Sequence, residues 1–306
     1  MARYSIGLDL GGTNLRAAAI DASSNILEKI SGRTNFSAGR EAVLNDMVRN
    51  IEALRQKYGP GDLVGVGIGV PGFIRMKEGI VAGSHNLLGF DNFPLRDELS
   101  RRLGIPVILE NDANAAAMGE KWAGAGRNVD DLVLLTLGTG IGGGIICGGR
   151  VLHGAVGMAG EIGHMTVIPE GNPCGCGNQG CLEKHASATA IESMANLVAI
   201  GKRVTAQEVC ELARQGHENA RRVFACVGTA LGIALASLIN IFNFPLYLLS
   251  GGVLPAWDFF APAMFEEIRR RSFTYRNTET RVDRAILGNE AGLYGAAYLP
   301  YVAGAA

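Results

Sequence analysis

Apolar residues alternate through residues 3–10 and 15–20, on either side of Gly11-Gly12-Thr13-Asn14, and a period of two around such a turn predicts a β-hairpin. A third strand is expected near Ile26–Ser31. The period then lengthens. Val43, Leu44, Met47, Val48, Ile51 and Leu54 recur at helical spacing between Glu41 and Tyr58, and Gly59-Pro60 stops the helix. Leu63–Val70 reads as a buried strand closed by Pro71-Gly72, and a polar loop carrying Asn86 follows. A helix over Phe93–Leu103, a strand over Val107–Leu109 and an alanine-rich helix over Ala113–Trp122, opened by Asp112, come next. Leu132–Leu137 begins a second hairpin through Gly138-Thr139-Gly140-Ile141-Gly142-Gly143 into Gly144–Cys147. Beyond it the pattern predicts helices from about 187 to 242 and a strand at Leu246–Leu249 that runs into Ser250-Gly251-Gly252. A helix near 258–271, a strand near 282–287 and a final helix from about Glu290 complete the chain.

The two hairpins echo one another. Leu8-Asp9-Leu10-Gly11-Gly12-Thr13 aligns with Leu135-Thr136-Leu137-Gly138-Thr139-Gly140, which points to two similarly folded α/β halves facing a common cleft. A chain of 306 residues has room for two domains. We place them at residues 1–115 and 116–289, with the last helix, about 290–306, packing back on the first. The segment Ala225–Phe242 is apolar enough to raise a membrane reading, but Thr229, Ser237 and Asn240 interrupt it and no second span follows, so a buried core helix is expected. A net charge of −1 gives no pull toward nucleic acid or an acidic membrane surface. Met1 leads directly into a strand pattern, so a cytoplasmic location is expected. The 43 glycines sit mostly in clusters after apolar runs, as they do in loops at strand ends.

Three of the six cysteines fall together as Cys174-x-Cys176-x4-Cys181, and His164 precedes them by ten residues. Three thiolates and an imidazole make the donor set of a closed tetrahedral zinc site, structural and not catalytic. A disulfide cluster or unconnected buried thiols are the alternatives; cysteines one residue apart suit a disulfide poorly. Glu161 and Glu183 bracket the cluster, and a metal knot that fixes two acids suits a polyhydroxylated ligand.

Three glycine turns can bring backbone N–H groups to phosphate oxygens: Gly11-Gly12-Thr13-Asn14, Gly138-Thr139-Gly140 and Gly251-Gly252. Asp9 before the first can hold Mg²⁺ through water, and Arg16 adds a cation. An ordinary hairpin turn fits the first of them equally well. Gly138, Gly140 and Gly143 match the dinucleotide expression G-x-G-x-x-G, but a strand and not a helix follows, and the match is rejected. Asn111-Asp112 lies where a strand meets a helix. Asp112 there is either a simple N-cap or an ionised carboxylate able to accept a proton from an attacking hydroxyl.

Taken in order, Asp9-x-Gly-Gly-Thr-x-x-Arg16, Glu110-Asn-Asp-Ala-Asn-Ala, Leu137-Gly-Thr-Gly-x-Gly-Gly-Gly, Gly160-Glu-Ile-Gly-His and Cys174-x-Cys-Gly-x-x-Gly-Cys-Leu-Glu183 resemble the ROK family of sugar kinases, most closely its bacterial glucokinases. The resemblance spans essentially the whole chain. It implies the actin/hexokinase-like (ribonuclease H-like) ATPase fold and ATP-dependent phosphorylation of a hexose at the 6-hydroxyl, with glucose favoured. It makes Asp112 the base and His164, Cys174, Cys176 and Cys181 the zinc ligands. The sugar contacts would be Asn86, Asn111, Asp112, Glu161, His164 and Glu183, with Gly72–Arg75 and Ser84–Leu88 as loops that tune selectivity. It further implies a homodimer or homotetramer. Amino-sugar kinases and fructokinases of the family are the near alternatives, and a polyphosphate donor is a further one. The alternative of a different class is a sugar-sensing repressor, disfavoured because Asp9 leaves no room before it for a helix-turn-helix segment.

Overall fold

A computed structural model describes residues 3–84, 87–198, 200 and 203–303. The chain runs β1 (Tyr4–Leu10), β2 (Asn14–Asp21), β3 (Ile26–Arg33), α1 (Arg40–Tyr58), β4 (Leu63–Val70), β5 (Phe73–Arg75), β6 (Ile80–Gly83), α2 (Leu95–Leu103), β7 (Val107–Asn111) and α3 (Asp112–Ala123). It continues through β8 (Leu132–Leu137), β9 (Ile141–Cys147), β10 (Arg150–Val151), α4 (Glu183–Ala186), α5 (Ala188–Leu197), α6 (Ala206–Arg214) and α7 (Glu218–Phe242). The last elements are β11 (Leu246–Ser250), α8 (Trp257–Arg271), β12 (Arg281–Arg284) and α9 (Ala291–Ala303).

Both sheets repeat one plan, as the echo in the sequence anticipates. The first has the order β3-β2-β1-β4-β7 and the second β10-β9-β8-β11-β12. In the first, β1 is antiparallel to β2 and parallel to β4, which is parallel to β7. In the second, β11 is parallel to both β8 and β12. Parallel neighbours require crossovers, and the helical segments between the strands supply them.

Two compact units form, Met1–Asp130 with Gly144–Ala159 and Ile286–Ala306, and Asp131–Gly143 with Gly160–Ala285. The break expected after residue 115 therefore falls later, and residues 144–159 return to the first unit. The reason is packing. Helix α3 is locked against α9 by small residues: a Cβ on Gly295 would lie 1.6 Å from the Ala115 carbonyl oxygen, so nothing but glycine permits this approach. Fully buried Glu120 accepts the amides of Ala125, Ile286 and Leu287 at 2.9, 3.1 and 2.8 Å, which ties the chain before α9 to the end of α3. Strand β1 is buried along all seven residues. Val43, Leu44, Met47, Ile51 and Leu54 of α1 share one core with Leu8 and Leu10, while Leu293 and Ala297 of α9 pack with Ala18 and Ile20 in another.

In the second unit α7 is long and apolar enough to span a membrane, but 61% of its most apolar window is buried inside the protein. It is a core helix that packs along α8, with Phe224 stacked on Phe259 at 6.0 Å between ring centroids. Helix α2 starts at Leu95, two residues later than its hydrophobic pattern suggests, because Pro94 stands at its N-cap.

Candidate active site

In the first unit, pairing of β1 with β2 sets Asp9 directly opposite Arg16. The Arg16 guanidinium donates to the Asp9 carboxylate and, at 2.6 Å, to the carbonyl of Asn289. Burial raises the pKa of Asp9; the Arg16 charge and hydrogen bond oppose the rise, and Glu290 adds to it. The turn beyond Asp9 is closed by Gly11 N–H to the Asn14 carbonyl at 2.8 Å, and Gly12, Thr13 and Asn14 are exposed.

The β7–α3 junction holds Asn111 and Asp112. Asn111, not Asp112, is the N-cap: its Oδ1 accepts the amides of Ala113 and Asn114 at 2.9 and 3.2 Å. Asp112 is the first helical residue, is exposed, and accepts the Ala113 amide at 2.9 Å. The asparagine is the better cap because its backbone is extended, with φ −65° and ψ 146°, so its side chain can fold back over the first turn. The same side chain donates through Nδ2 to the carbonyl of Gly72 at 3.2 Å. Asn86 lies outside the described residues, as does part of the Ser84–Leu88 loop.

In the second unit, His164, Cys174, Cys176 and Cys181 converge, with all four candidate donor atoms within 4.8 Å of one another. His164 Nδ1 lies 3.6 Å from Cys174 Sγ, and Cys176 Sγ lies 3.7 Å from Cys181 Sγ. A zinc tetrahedron with the usual Zn–S and Zn–N bond lengths has edges of about 3.5–3.8 Å, so the donor set fits that ion. Short ladders hold the loop, with Thr166 bridging Cys181 and Pro173 bridging Gln179. Gly180 takes φ +71°, and a Cβ there would sit 1.7 Å from the Ile168 carbonyl oxygen. Burial and the adjacent thiols push the Cys181 thiol up to about 12, so a bound metal would have to displace its proton. His164 keeps Nε2 turned away from the thiols, 4.0 Å from Glu161 Oε2. Burial raises the Glu161 pKa, the His164 charge lowers it, and the Glu183 charge raises it again.

The same unit brings two glycine turns together. Gly138 N–H closes the β8–β9 turn on the Gly140 carbonyl at 2.9 Å, and Ala188 N–H at the start of α5 reaches the Gly138 carbonyl at 2.8 Å. Val253 N–H meets the Leu137 carbonyl at 3.2 Å, seating the Gly251-Gly252 turn beside the end of β8. Gly252 stays exposed. Strand β9 follows the first turn, so the dinucleotide expression is met without its helix.

A model of the ROK family matches residues 5–301. The chain belongs to the ROK family. The glucokinase of Halalkalibacterium halodurans is 36% identical over 320 aligned residues, which cover 97% of this chain and 94% of that protein. The structure of a ROK hexokinase from Thermus thermophilus matches with a TM-score of 0.89 at 37% identity over 99% of each chain. A ROK family glucokinase from Streptomyces griseus, solved with glucose and AMPPNP, matches with a TM-score of 0.76 at 34% identity, covering 97% of this chain and 98% of that one. A xylose repressor of Caldicellulosiruptor bescii is 31% identical, over 95% of this chain and 76% of the repressor. The fold is therefore the two-sheet α/β fold of the ROK hexokinases, in the actin/hexokinase-like class.

Against this ROK background, the sequence missed two contacts. Glu183 Oε2 accepts the Ile141 amide at 3.0 Å, which couples the cysteine cluster to the β8–β9 turn. Glu110 and His153 pair behind Asn111-Asp112, with Nε2 to Oε2 at 2.7 Å. The two are 43 positions apart, and no spacing rule announces such a pair. His185, just beyond Glu183, is half-buried, and burial lowers its pKa.

Proposed function

We propose that this chain is an ATP-dependent glucokinase that phosphorylates the 6-hydroxyl of glucose, with Asp112 as the general base. The observation that carries the reading is the β7–α3 junction, where an exposed carboxylate stands at the first position of a helix whose cap is supplied by its neighbour. At that position the carboxylate, which accepts the Ala113 amide, can also take a proton from a bound hydroxyl. The helix N-terminus favours its ionised form.

Glucose would be held by Asn111 and Asp112 together with Glu161, His164 and Glu183. The oxygen of its 6-hydroxyl attacks the γ-phosphorus; the new O–P bond forms as the bond to the β–γ bridging oxygen breaks. The hydroxyl proton passes to an Asp112 oxygen, and ADP leaves. Amides of the turns at Gly11–Asn14, Gly138–Gly140 and Gly251–Gly252 would steady the phosphates. Asp9, a single carboxylate oriented by Arg16, suits an ion that keeps most of its waters, and would hold the Mg²⁺ that accompanies ATP and neutralises phosphate charge. His164, Cys174, Cys176 and Cys181 would hold a structural zinc that stiffens the wall carrying Glu161 and Glu183.

Product analysis tests the regiochemistry. With ATP and glucose, ³¹P and ¹³C spectra should show one phosphate ester, at carbon 6, and 6-deoxyglucose should release no ADP above background. A phosphate on another carbon, or turnover of 6-deoxyglucose at the glucose rate, would reject the assignment.

A further inference from the structure

Glu110 has no role in the transfer just described, yet it is a buried carboxylate, 2% exposed, one residue before Asn111 and two before Asp112. Its acceptor positions are divided between two tasks. Oε1 takes the Asn111 amide at 2.9 Å and the Asn114 Nδ2 at 3.0 Å. Oε2 takes His153 Nε2 at 2.7 Å. Both donors on Oε1 belong to the junction that presents the base, one just before it and one in the first turn after it. His153 comes from a distant stretch, the segment after β10, where its carbonyl accepts the Ala159 amide at 3.1 Å.

We propose that His153, acting through Glu110, is a positioning residue that fixes the Asn111-Asp112 turn for proton transfer; this rests on the reading of Asp112 as the base. A buried charge pair contributes little to net stability compared with apolar side chains of the same volume, so its presence here calls for another reason. Removing the donor at Oε2 leaves a desolvated carboxylate oxygen without a partner. The carboxylate then either takes up a proton or swings toward water. Both responses weaken the bond to the Asn111 amide, and the turn that aims Asp112 loses its rear support. The hydrogen bond that His153 donates to Glu110 raises the pKa of His153 against the opposing effect of burial, which favours the protonated, donating imidazole in the native pair.

Two variants separate the hydrogen bond from the packing of the ring. His153→Phe keeps a ring and removes the donor; His153→Gln removes the ring and keeps an amide able to donate to Glu110. Steady-state kinetics with ATP and glucose, alongside circular dichroism and melting, should show His153→Phe with kcat lowered about 10²-fold, the cost of a small misplacement of the reacting group. KM for ATP should stay within about threefold, and His153→Gln should recover kcat to within about fivefold of the wild type. A folded His153→Phe with wild-type kcat would overturn the proposal. Equal impairment of Phe and Gln would do so too, by assigning the effect to the ring. If His153→Phe and His153→Ala both fail to fold, the pair is a stability device and the proposal falls. Asp112→Asn is measured in the same series: if it keeps wild-type kcat, the base assignment has failed, whereas its loss beside a fully active His153→Phe rejects the positioning role alone.

Discussion

Asp112→Asn is expected to lower kcat at least ~10²-fold while glucose still binds, on the usual scale for losing a general base. The amide has the shape of the carboxylate and keeps the hydrogen bond that a sugar hydroxyl would use, but it cannot accept the proton that must leave the 6-hydroxyl. The change is clean for a structural reason. Capping of α3 belongs to Asn111, so the substitution leaves the bonds to the Ala113 and Asn114 amides from Asn111 Oδ1 in place. Melting temperature should therefore move little, and the fall should appear in kcat at saturating ATP and glucose. Glucose affinity, read by calorimetry, should stay near that of the wild type. A variant with near-normal kcat would remove Asp112 from the mechanism.

Cys176→Ser is expected to raise KM for glucose roughly 10–100-fold, the range seen when the supports of a metal site are removed, with a much smaller change in KM for ATP. Metal analysis of the wild type should find about one zinc per chain, as a closed Cys3His set requires. Cys176 is the informative ligand because it is exposed, whereas Cys181 is buried, so replacing Cys176 disturbs the metal without opening a core. The expected split follows from what the knot holds. His164 would bind the metal and lies 4.0 Å from Glu161, and without the metal the loop from 160 to 183 keeps two isolated bridges and backbone hydrogen bonds such as Cys174 N–H to the Asn178 carbonyl. The bond that the Ile141 amide donates to Glu183 gives the β8–β9 turn a minor share in the loss. Metal-free protein with full activity would contradict the structural role.

The parts legible in the sequence were those whose signal is local. The β1–β2 hairpin, α1 with its Gly59 stop, and the strand Leu63–Val70 follow from period and punctuation, and each lies within a residue or two of its expected bounds. The convergence of His164 with the three cysteines was legible because these donors lie close in sequence. The domain break was not. Alanine-rich α3 shows no sharp apolar face, and its attachment to α9 depends on carbonyl-to-glycine approaches such as Gly295 on Ala115 that only the folded backbone reveals. The cap at Asn111 was misplaced by one residue because Asn and Asp are equally good caps and only the dihedral angles decide between them. Glu110 and His153 were invisible for another reason: a charge pair between distant residues has no period, and histidine has no fixed spacing to its partner.

With glucose as substrate and ATP as donor, selectivity among hexoses is the property to measure, because Glu and His side chains can hydrogen-bond the hydroxyls of several of them. A rigid wall of acceptors favours a free hydroxyl at carbon 2, and steric rejection of an N-acetyl group can exceed the discrimination that one methylene gives in an apolar pocket. The decisive measurement is kcat/KM by coupled ADP release with ATP across glucose, mannose, fructose, N-acetylglucosamine and N-acetylmannosamine. The value for glucose should be at least ~10²-fold above that for either N-acetylhexosamine, with mannose between them; equal or reversed values, or no ADP release with glucose, would contradict a glucokinase.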